Sequence, residues 1–326
     1  MKRKRVLSGI QPSGSLHIGN YFGMMKRMIK YQESDDLFTF LVNYHALTTV
    51  SDGEFLRQNT IEAAADYLAL GLDPEKAVFW VQSDVPEVLE ATWLLSNVTN
   101  MGLLERAHSY KDKVSKGMTP HHGLLSYPVL MAADILLFGG EVVPVGKDQK
   151  QHLEMTRDIA LRFNATYGET FIIPEAHIED DIGLIPGIDG QKMSKSYDNT
   201  IEIFCEKAEL TTQIMSIITD NTPSDAPKDP ETSTLYHIYV LFLDDAGRKE
   251  LTQRFVNPGL KYSDVKRELI DIVWEYFEPF REKRASRFSN KDGVVEILKY
   301  GADKARAEAS VFLARAKKNV GLNYDE

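Results

Sequence analysis

The sequence has a single cysteine and lacks long apolar runs. Because Cys205 is alone among 326 residues, an intrachain disulfide and a cysteine-rich zinc or iron–sulfur site are excluded. The longest apolar runs, such as residues 130–138, contain a carboxylate and fall well short of the ~20 residues that a membrane-spanning helix needs. We therefore expect a soluble protein of the reducing cytoplasm, with no membrane partner.

Positive charge is also scarce. The chain has 38 lysines and arginines against 48 aspartates and glutamates, a formal net charge of −10, which excludes a uniformly basic coat for nucleic acid. Basic residues nevertheless recur through the helices predicted in the second half. One face of these helices is suited to phosphate groups, although an ordinary solvated surface explains the same pattern.

Two common nucleotide-binding fingerprints are absent. Neither Gly-x-x-x-x-Gly-Lys-[Ser/Thr] nor Gly-x-Gly-x-x-Gly occurs, which disfavours a P-loop enzyme and a dinucleotide-binding enzyme. The sequence does contain 43% hydrophobic residues, with glycine and proline scattered along it. This composition and length are typical of a globular enzyme of about two domains.

The first half alternates short β-branched or aromatic runs with longer amphipathic stretches. This alternation predicts an α/β fold in which helices wrap a parallel sheet, with the ligand site at the carboxyl ends of the strands. The predicted strands cover residues 6–9, 37–43, 77–82, 142–145 and 171–173, and the predicted helices cover residues 21–30, 58–70, 86–97, 123–138 and 149–163.

The second half has almost no strand signal. A loop with several glycines over residues 182–200 precedes predicted helices over residues 207–219, 232–243, 262–280, 294–300 and 302–318. Residues 221–230 contain three prolines and are predicted to form a hinge or surface loop. We therefore expect an α/β part followed by an all-helical part.

The first predicted strand leads into a turn of small residues and then into His17-Ile-Gly-Asn20 at a helix start. Backbone N–H groups and the positive end of the helix dipole suit this position to an anion. His17 and Asn20 are three residues apart, so on a first helical turn they share a face and can donate together to one phosphate. Turns of this kind are also common where no ligand binds.

A second motif, Lys192-Met-Ser-Lys-Ser196, ends the glycine-bearing loop. Two lysines at this spacing can offset the negative charge that accumulates on a leaving polyphosphate. By itself, the pair is equally consistent with two solvated surface lysines.

The two motifs together are much more specific than either alone. A His-Ile-Gly-Asn start at the first strand–helix junction, followed after the alternating part by Lys-Met-Ser-Lys-Ser, resembles the class I aminoacyl-tRNA synthetases. Residues 8–14, 127–136 and 144–152 are similar to the tryptophanyl branch of that family. The resemblance implies a Rossmann-like catalytic domain (residues 1–190), a lysine-motif loop (191–200), a helical anticodon-binding domain (201–300) and a C-terminal helix (301–326) expected against the catalytic domain. Closure of residues 182–200 over ATP is the expected conformational step.

The residue Asp134 supports the tryptophanyl branch on physical grounds. It lies in an apolar helical run, and a buried carboxylate needs hydrogen-bond donors. An indole N–H is a donor without acceptor capacity, so it suits such a carboxylate. A helix aspartate that faces water or caps a neighbour is the alternative. By the resemblance, Asp134 binds the indole nitrogen, and Met131 lies where tyrosyl relatives carry a polar residue.

The resemblance assigns further residues to the two substrates. The tryptophan pocket is expected to comprise Leu7, Gly9, His45, Tyr127, Met131, Asp134, Val143, Val145 and Gln149. The ATP contacts are expected to be Gln11, Pro12, Ser13, Gly19, Asn20, Gly146, Lys147, Asp148, Leu184, Lys192, Met193, Ser194, Lys195 and Ser196. Some of the apolar pocket residues are equally expected as core, and Asp148 suits either the ribose or the ammonium group.

The implied reaction has two steps. The tryptophan carboxylate attacks the α-phosphorus of ATP to form the adenylate and pyrophosphate, and the tryptophanyl group is then passed to the terminal ribose of tRNA(Trp), where it forms an ester as AMP leaves. The residues expected to stabilise the developing charge are His17, Asn20, Lys113, Lys192 and Lys195, together with Mg²⁺ held by the phosphates rather than by a protein metal site. Lys113 also fits an ordinary exposed charge run.

Two features depart from the family pattern. Asn20 stands where the class signature usually has a second histidine, as it does in the bacterial tryptophanyl members, and an amide still donates to phosphate without a charge. The glycine-rich residues 183–190 differ from the corresponding loop of the more familiar members, so the backbone contacts expected there are not specified.

Three alternative functions stay open at this point. The tyrosyl sibling is disfavoured by Met131, Asp134 and the intact lysine motif. A catalytically silent RNA-binding relative is disfavoured because none of the motif residues is lost, and a small nucleotidyltransferase because of the long helical half. Since the relatives are homodimers, we expect a homodimer with part of residues 80–135 at its interface.

Overall fold

The computed structural model describes residues 3–12, 14–115, 117, 119–146, 149–178 and 185–324. The chain forms two compact units. The first comprises Met1–Gly14, Lys30–Asp180 and Arg287–Glu326, and the second comprises Ser15–Ile29 and Asp181–Ser286. Each unit is built from separate stretches of chain, so this division differs from the boundaries expected at residues 190, 200 and 300.

Among the described residues, a five-stranded parallel sheet forms the centre of the first unit. Its strands are β1 (Arg5–Ile10), β2 (Asp36–Leu41), β3 (Val78–Val81), β4 (Val142–Val145) and β5 (Glu175–Ile178), arranged in the order β3-β2-β1-β4-β5. β1 pairs with β2 on one side and with β4 on the other. The strand order therefore reverses between β1 and β4, and a ligand crevice forms at the carboxyl ends of strands where such a reversal occurs.

The helices of the described residues follow in chain order. They are α1 (Ile18–Asn20), α2 (Lys26–Ser34), α3 (Asn43–Ala46), α4 (Gly53–Ala69), α5 (Glu87–Ser96), α6 (Met101–Glu105), α7 (His108–Ser115), α8 (His122–Leu136), α9 (Lys150–Tyr167), α10 (Lys207–Met215), α11 (Thr234–Tyr239), α12 (Asp245–Val256), α13 (Tyr262–Ser289) and α14 (Lys291–Asn319). A π-helical turn covers Tyr21–Met25, and 3₁₀ turns cover Gln82–Asp84, Lys195–Tyr197 and Val240–Phe242. Within the described part of the chain, no helix has the length and apolar composition to cross a bilayer.

The core of the first unit explains the apolar character of its strands. A parallel sheet covered on both faces buries nearly every strand side chain. Trp80 on β3 is fully buried and stacks on Phe40 of β2 with ring centroids 4.8 Å apart. Phe138, just beyond α8, lies 4.9 Å from Trp80 and joins the sheet to the helical layer.

The fifth strand lies later in the chain than predicted. Residues 171–173 do not form a strand, because the side chain of Asn164 on α9 forms hydrogen bonds with the backbone of Thr170 and Phe171. Its Oδ1 accepts from Thr170 N and Phe171 N at 3.0 Å, and its Nδ2 donates to Phe171 O at 2.8 Å. Phe171 is buried as a core residue, and β5 begins at Glu175, directly after a proline. Of the apolar run at residues 171–173, only Phe171 is buried in the core, and Ile172 is exposed.

The last two predicted helices are one helix. Gly301 was expected to separate residues 294–300 from residues 302–318, but α14 continues through it. The glycine is needed for close packing on β3, because a Cβ atom there would come within 1.8 Å of Phe79 O. α14 therefore lies with its backbone directly against the edge strand of the sheet.

The regular elements among the described residues of the second unit are helices and single helical turns, joined by loops and by two single antiparallel bridges. Its centre is aromatic: Tyr21 and Phe22 of the π-helical turn pack edge-on against Phe277 and Phe242, with centroids 5.2 and 5.0 Å apart. α12 was not predicted, because only two of its apolar side chains are buried and its first turn is strongly polar.

Candidate active site

A buried carboxylate marks the candidate site of the first unit. Asp134 on α8 is only 3% exposed. His45 Nε2 lies 2.8 Å from Asp134 Oδ2, and Gln82 Nε2 donates to both carboxylate oxygens at 2.8 Å. A carboxylate offers about four acceptor positions, so Asp134 has room for one further N–H donor. The structure therefore brings together Asp134 and His45, two residues that the resemblance assigns to the tryptophan pocket.

The environment of Asp134 acts on its ionisation in two opposing ways. Burial raises the pKa of Asp134 above its usual range, because removal from water disfavours the charged form. The hydrogen bonds from His45 and Gln82 lower the pKa, because both groups donate to the ionised carboxylate. The ionised form thus depends on the donors that surround it.

Gln82 was not predicted as a site residue. It is fully buried and comes directly after β3, at the carboxyl end of the strand. Its Oε1 accepts from Tyr44 N at 3.0 Å, which directs its Nε2 towards Asp134. A polar residue immediately after an apolar strand is the signal that could have identified it, since ligand sites of parallel sheets lie at this edge.

A second polar chain contains two of the predicted pocket residues. His152 Nδ1 lies 2.9 Å from Gln149 Oε1, so Nδ1 carries the proton and donates to this carbonyl oxygen. His152 Nε2 then accepts from the Tyr127 hydroxyl at 2.7 Å. The Tyr127 ring lies edge-on to His45, with centroids 6.1 Å apart. His152, the last residue of the segment 144–152 and not predicted as a pocket residue, therefore links Gln149 and Tyr127 to the residues around Asp134.

The apolar residues of the predicted pocket lie on β1, β4 and α8. Leu7, Gly9, Val143 and Val145 share one face of the sheet, because β1 and β4 pair in parallel and residues two apart in a strand point the same way. Leu7 and Val143 are buried, Val145 is half-buried and Gly9 is exposed. A Cβ atom on Gly9 would come within 2.8 Å of a neighbouring valine side chain. Met131 is half-buried, one turn before the carboxylate on α8.

Three of the predicted ATP residues follow the carboxyl ends of neighbouring strands. Gln11 and Pro12 come directly after β1, and Gly146 comes directly after β4. They lie where the strand order reverses, at the edge that binds ligands in parallel sheets. Of the other predicted residues, Ser13, Lys147, Asp148 and Leu184 lie outside the described residues, and Lys113 lies in α7 with its side chain outside them.

In the second unit, His17 and Asn20 form a reciprocal capping box at the start of α1. His17 Nδ1 accepts from Asn20 N at 3.2 Å, and Asn20 Oδ1 accepts from His17 N at 3.2 Å. Both side chains are therefore held in place by the backbone. Because Nδ1 is an acceptor, the imidazole proton is on Nε2, and the donor groups left to the pair are His17 Nε2–H and Asn20 Nδ2.

The imidazole of His17 is uncharged at neutral pH. Burial lowers the pKa of His17 to about 4, and the positive charge of Lys195 acts in the same direction. His17 therefore contributes a neutral N–H donor rather than a cation.

The lysine motif is anchored by its methionine. Met193 is buried, and its backbone N donates to Ile185 O at 2.9 Å. Lys192 and Lys195 on either side of it are exposed. Ser194 Oγ accepts from Ser196 N at 3.3 Å and so starts the 3₁₀ turn that carries Lys195. A buried apolar anchor with exposed ammonium groups suits this segment to an anionic ligand.

The two sequence motifs pack together within the second unit. Ile18 N donates to Ile201 O at 3.0 Å, and Ile203 N donates to Leu16 O at 2.9 Å. A Cβ atom on Gly19 would lie 2.9 Å from His17 Nδ1 and 3.2 Å from the Cβ of Met193. Glycine thus allows the histidine cap and the lysine segment to approach each other.

The described residues contain no group of three or more histidine, cysteine, aspartate or glutamate side chains that could hold a metal ion.

A comparison with protein families agrees with this geometry. The model of the tRNA synthetases class I (W and Y) matches residues 1–278, and the chain therefore belongs to this family. Within it, the chain is 52% identical over 318 residues to a tryptophan–tRNA ligase from Campylobacter jejuni strain RM1221, covering 98% of this chain and 100% of the relative. It is 53% identical over 320 residues to a tryptophan–tRNA ligase from Fusobacterium nucleatum, covering 98% of each.

Solved structures give the same result. The crystal structure of the tryptophanyl-tRNA synthetase from Campylobacter jejuni complexed with ADP and tryptophan has a TM-score of 0.92 at 52% identity, covering 97% of this chain and 99% of that one. The enzyme from Mycoplasma pneumoniae has a TM-score of 0.83 at 31% identity, covering 99% of each chain. The predicted fold class and family are confirmed by these matches.

Proposed function

We propose that this chain catalyses the tryptophan–tRNA ligase reaction. It activates L-tryptophan with ATP to form tryptophanyl-adenylate and pyrophosphate, and it then transfers tryptophan to the 3′-terminal adenosine of tRNA(Trp). The observation that carries the proposal is the buried carboxylate of Asp134, held by His45 and Gln82 with capacity for one more donor. The high identity to tryptophan–tRNA ligases supports the same substrate.

The indole ring is the ligand that fits this carboxylate best. Its N–H only donates, so it completes the shell of Asp134 without leaving a polar group unpaired. A site that is built for one ring's donor rejects an analogue that lacks it by about 10⁴-fold or more, because the buried acceptor is then left without its partner. Apolar residues such as Leu7 and Val143 suit the remaining faces of the ring.

The first step needs positioning and charge stabilisation rather than a protein nucleophile. The tryptophan carboxylate is already ionised at neutral pH, so it attacks the α-phosphorus without a general base. As the bond to pyrophosphate breaks, negative charge grows on the leaving phosphates. His17 and Asn20 donate neutral N–H groups to the triphosphate, and Lys192, Lys195 and Lys113 supply positive charge.

Mg²⁺ accompanies ATP in this proposal. Phosphate oxygens and water are its preferred ligands, and a Mg²⁺ ion bound with a nucleotide needs only one or two protein carboxylates or none. The proposal assigns the ligands of the ion to the phosphate oxygens and water rather than to a protein metal site. The ion would neutralise charge on the triphosphate.

The tRNA is the second substrate, and the helical part of the chain is the candidate for binding its anticodon. Basic side chains recur on α13, where Arg281 stacks on Trp274 with its guanidinium carbon 3.6 Å from the ring centroid. Cation and ring surfaces of this kind suit single-stranded RNA. The reaction belongs to translation, so we place the protein in the cytoplasm.

The protein is proposed to act as a homodimer. Leu89 and Trp93 lie four residues apart on α5 and so share a face, and Met101 begins α6. The three side chains are 46%, 70% and 57% exposed, although all are apolar. A contiguous exposed apolar patch marks an interaction surface. We propose that Leu89 and Trp93, together with Met101, form such a patch, and we call these three residues the α5 surface.

ATP–pyrophosphate exchange measured with each of the twenty amino acids tests the activity. We expect exchange with tryptophan and about 10⁴-fold less with tyrosine. Lys195→Ala is expected to lower exchange by orders of magnitude and to leave tryptophan affinity nearly unchanged. Lys249→Ala, an exposed lysine on α12, is the matched control and should behave as the wild type.

Two results would contradict the proposal. Exchange that depends on tyrosine rather than tryptophan would move the chain to the tyrosyl branch. ATP turnover without any charging of tRNA would indicate a nucleotidyltransferase instead.

A further inference from the structure

The lysine motif is held by a residue that lies outside it. Asn199 is 1% exposed, although the four residues before it are all exposed. A buried amide in an exposed segment must have its donors and acceptor satisfied by neighbouring groups. The hydrogen-bond partners of Asn199 therefore indicate the role of its buried amide.

Each polar atom of the Asn199 side chain has a partner in the loop. Its Oδ1 accepts from Ser194 N at 2.7 Å, and its Nδ2 donates to Lys192 O at 3.1 Å and to Asp189 Oδ1 at 2.7 Å. Its backbone O accepts from Ile188 N at 3.0 Å. Because one side of the amide meets an N–H group and the other meets two oxygen atoms, only an asparagine in this orientation satisfies all of them.

The loop is shaped to receive this amide. A Cβ atom on Gly187 would lie 2.4 Å from the Cγ and Nδ2 atoms of Asn199, so the amide lies flat against the backbone of Gly187. Asp189 also accepts from Gln191 N at 3.0 Å, so the carboxylate is itself held by the loop. Glycine at position 187 and aspartate at position 189 are therefore both required by the same contact.

The contacts of Asn199 fall on both sides of the buried methionine. Lys192 O and Ser194 N flank Met193, whose own N is bonded to Ile185 O. The backbone is thus fixed at three successive residues, directly after the first lysine and directly before the second. These hydrogen bonds fix the backbone from which the side chains of Lys192 and Lys195 extend.

We propose that Asn199 is a positioning residue that fixes Lys192 and Lys195 at the spacing needed to bind the leaving pyrophosphate. The proposal rests on the proposed function, since it assigns Asn199 a part in the same activation step. Asn199 acts through the two lysines and does not touch the substrate. A loss of the amide contacts leaves both charges present but incorrectly placed.

Asn199→Asp tests this proposal with almost no change of shape. The carboxylate still accepts from Ser194 N, but both N–H donors are lost and the new charge faces the Asp189 carboxylate. We expect kcat for ATP–pyrophosphate exchange to fall about 10²-fold, as for a small misplacement of a catalytic group, with the KM for tryptophan unchanged. Asn221→Asp, at an exposed position of the same unit, is the matched control and should keep wild-type exchange.

The exchanged variant Asp189→Asn/Asn199→Asp distinguishes positioning from loss of folding. It restores a hydrogen bond between positions 189 and 199 with the donor and acceptor reversed, and it keeps the net charge. Because the hydrogen bond to Lys192 O is not restored, we expect it to recover only part of the lost kcat. In Gly187→Ala, the new methyl group would clash with the amide of Asn199. We expect this variant to lower kcat with the KM for tryptophan unchanged. It keeps the proposal testable should Asn199→Asp not fold.

A double-mutant cycle with Lys195→Ala gives the decisive readout. If Asn199 acts through the lysines, its substitution has little further effect once Lys195 is removed, so the two effects are not additive. Additive effects, or wild-type kcat in Asn199→Asp, would overturn the proposal. Wild-type exchange with tryptophan is measured first; its absence would contradict the proposed function, whereas its presence with additive effects contradicts only the role of Asn199.

Discussion

Asp134 is costly to bury, and its hydrogen-bond donors determine whether it can serve as an acceptor. An unpaired carboxylate removed from water would take up a proton, and the protonated form presents a hydroxyl donor where the indole N–H needs an acceptor. Gln82 and His45 counter this effect, since both donate to the ionised form. Of the two, Gln82 is the better placed to orient the carboxylate, because it contacts both oxygen atoms and is itself held by Tyr44 N.

Gln82→Met is therefore expected to weaken tryptophan binding. Methionine keeps the length of the side chain and removes the amide, so Asp134 loses its bonds to Gln82. Hydrogen bonds to a charged group contribute about 1.5–3 kcal/mol, which corresponds to an affinity weaker by about 10- to 150-fold. Titration calorimetry with tryptophan measures this change. Gln58→Met, an exposed glutamine on α4, is the control and should bind as the wild type.

The same variant should also change the pH dependence of binding. Loss of a donor to the carboxylate raises the pKa of Asp134 further, so protonation begins at a higher pH. Tryptophan affinity requires the ionised form, so it is lost as the pH falls through this pKa. The loss in Gln82→Met is therefore expected at a higher pH than in the wild type. Identical pH profiles would show that Gln82 only fills space.

Short sequence motifs identified some of the site residues and missed others. His17, Asn20 and the two lysines belong to short motifs, so their neighbours in the chain identified them as candidates. Gln82 could not be found this way, because its partner Asp134 is 52 residues away and becomes a neighbour only when β3 and α8 pack. Asn199 is close to the lysines in sequence, but its proposed positioning role depends on the burial of its amide, which the polar sequence around it does not indicate.

At the scale of elements, α14 shows how one residue decides the packing of a helix. Its backbone lies on β3, the edge strand of the sheet, where an exposed strand would otherwise invite pairing with another chain. Contact this close needs glycine at position 301, since any side chain would meet the Phe79 carbonyl. Arg306 strengthens the attachment through an ion pair with Glu87, with nitrogen and oxygen 2.9 Å apart.

Gly301→Ala is expected to destabilise the protein, although alanine favours helices. The gain in helix propensity is about 1 kcal/mol, whereas the new methyl group would lie 1.8 Å from a backbone oxygen that cannot move aside. α14 must then shift away from β3 and lose part of its apolar contacts. We expect a net loss of about 3 kcal/mol and a thermal midpoint lower by several degrees.

Gly53→Ala is the matched control, because a Cβ atom at this helical glycine meets nothing within 4 Å. Its thermal midpoint should equal or slightly exceed that of the wild type. A midpoint for Gly301→Ala equal to that of the control would mean that α14 does not lie directly on β3.

Elements with a clear local pattern were predicted well, and the errors have physical causes. β1 and β4 were found because their apolar runs are bounded by turn residues. Residues 171–173 carry the same kind of run, but a side chain of α9 takes their backbone hydrogen bonds. Gly301 was interpreted as a helix break, because sequence alone does not distinguish a glycine that ends a helix from one that allows close packing.

At the scale of the whole molecule, alternation of strands and helices was enough to predict the parallel sheet and the helical remainder. The division into units was not predictable, because residues 15–29 and 287–326 group with parts of the chain that are far away in sequence. Exposure was not predictable either. Trp93 is apolar and lies on a helix with buried neighbours, and the sequence pattern alone does not show that it is 70% exposed.

The α5 surface predicts the assembly state of the protein. A stable dimer of ordinary size buries about 800 Å² on each partner, and large aromatic side chains contribute most of the binding energy. We expect a dimer in sedimentation velocity experiments at micromolar concentration. Trp93→Glu should produce a monomer, because each copy would bring a charge into the apolar contact. Val311→Glu, on an exposed apolar position of α14, is the control and should remain dimeric. A monomeric wild type, or a dimeric Trp93→Glu variant, would show that the α5 surface does not join two copies of the chain.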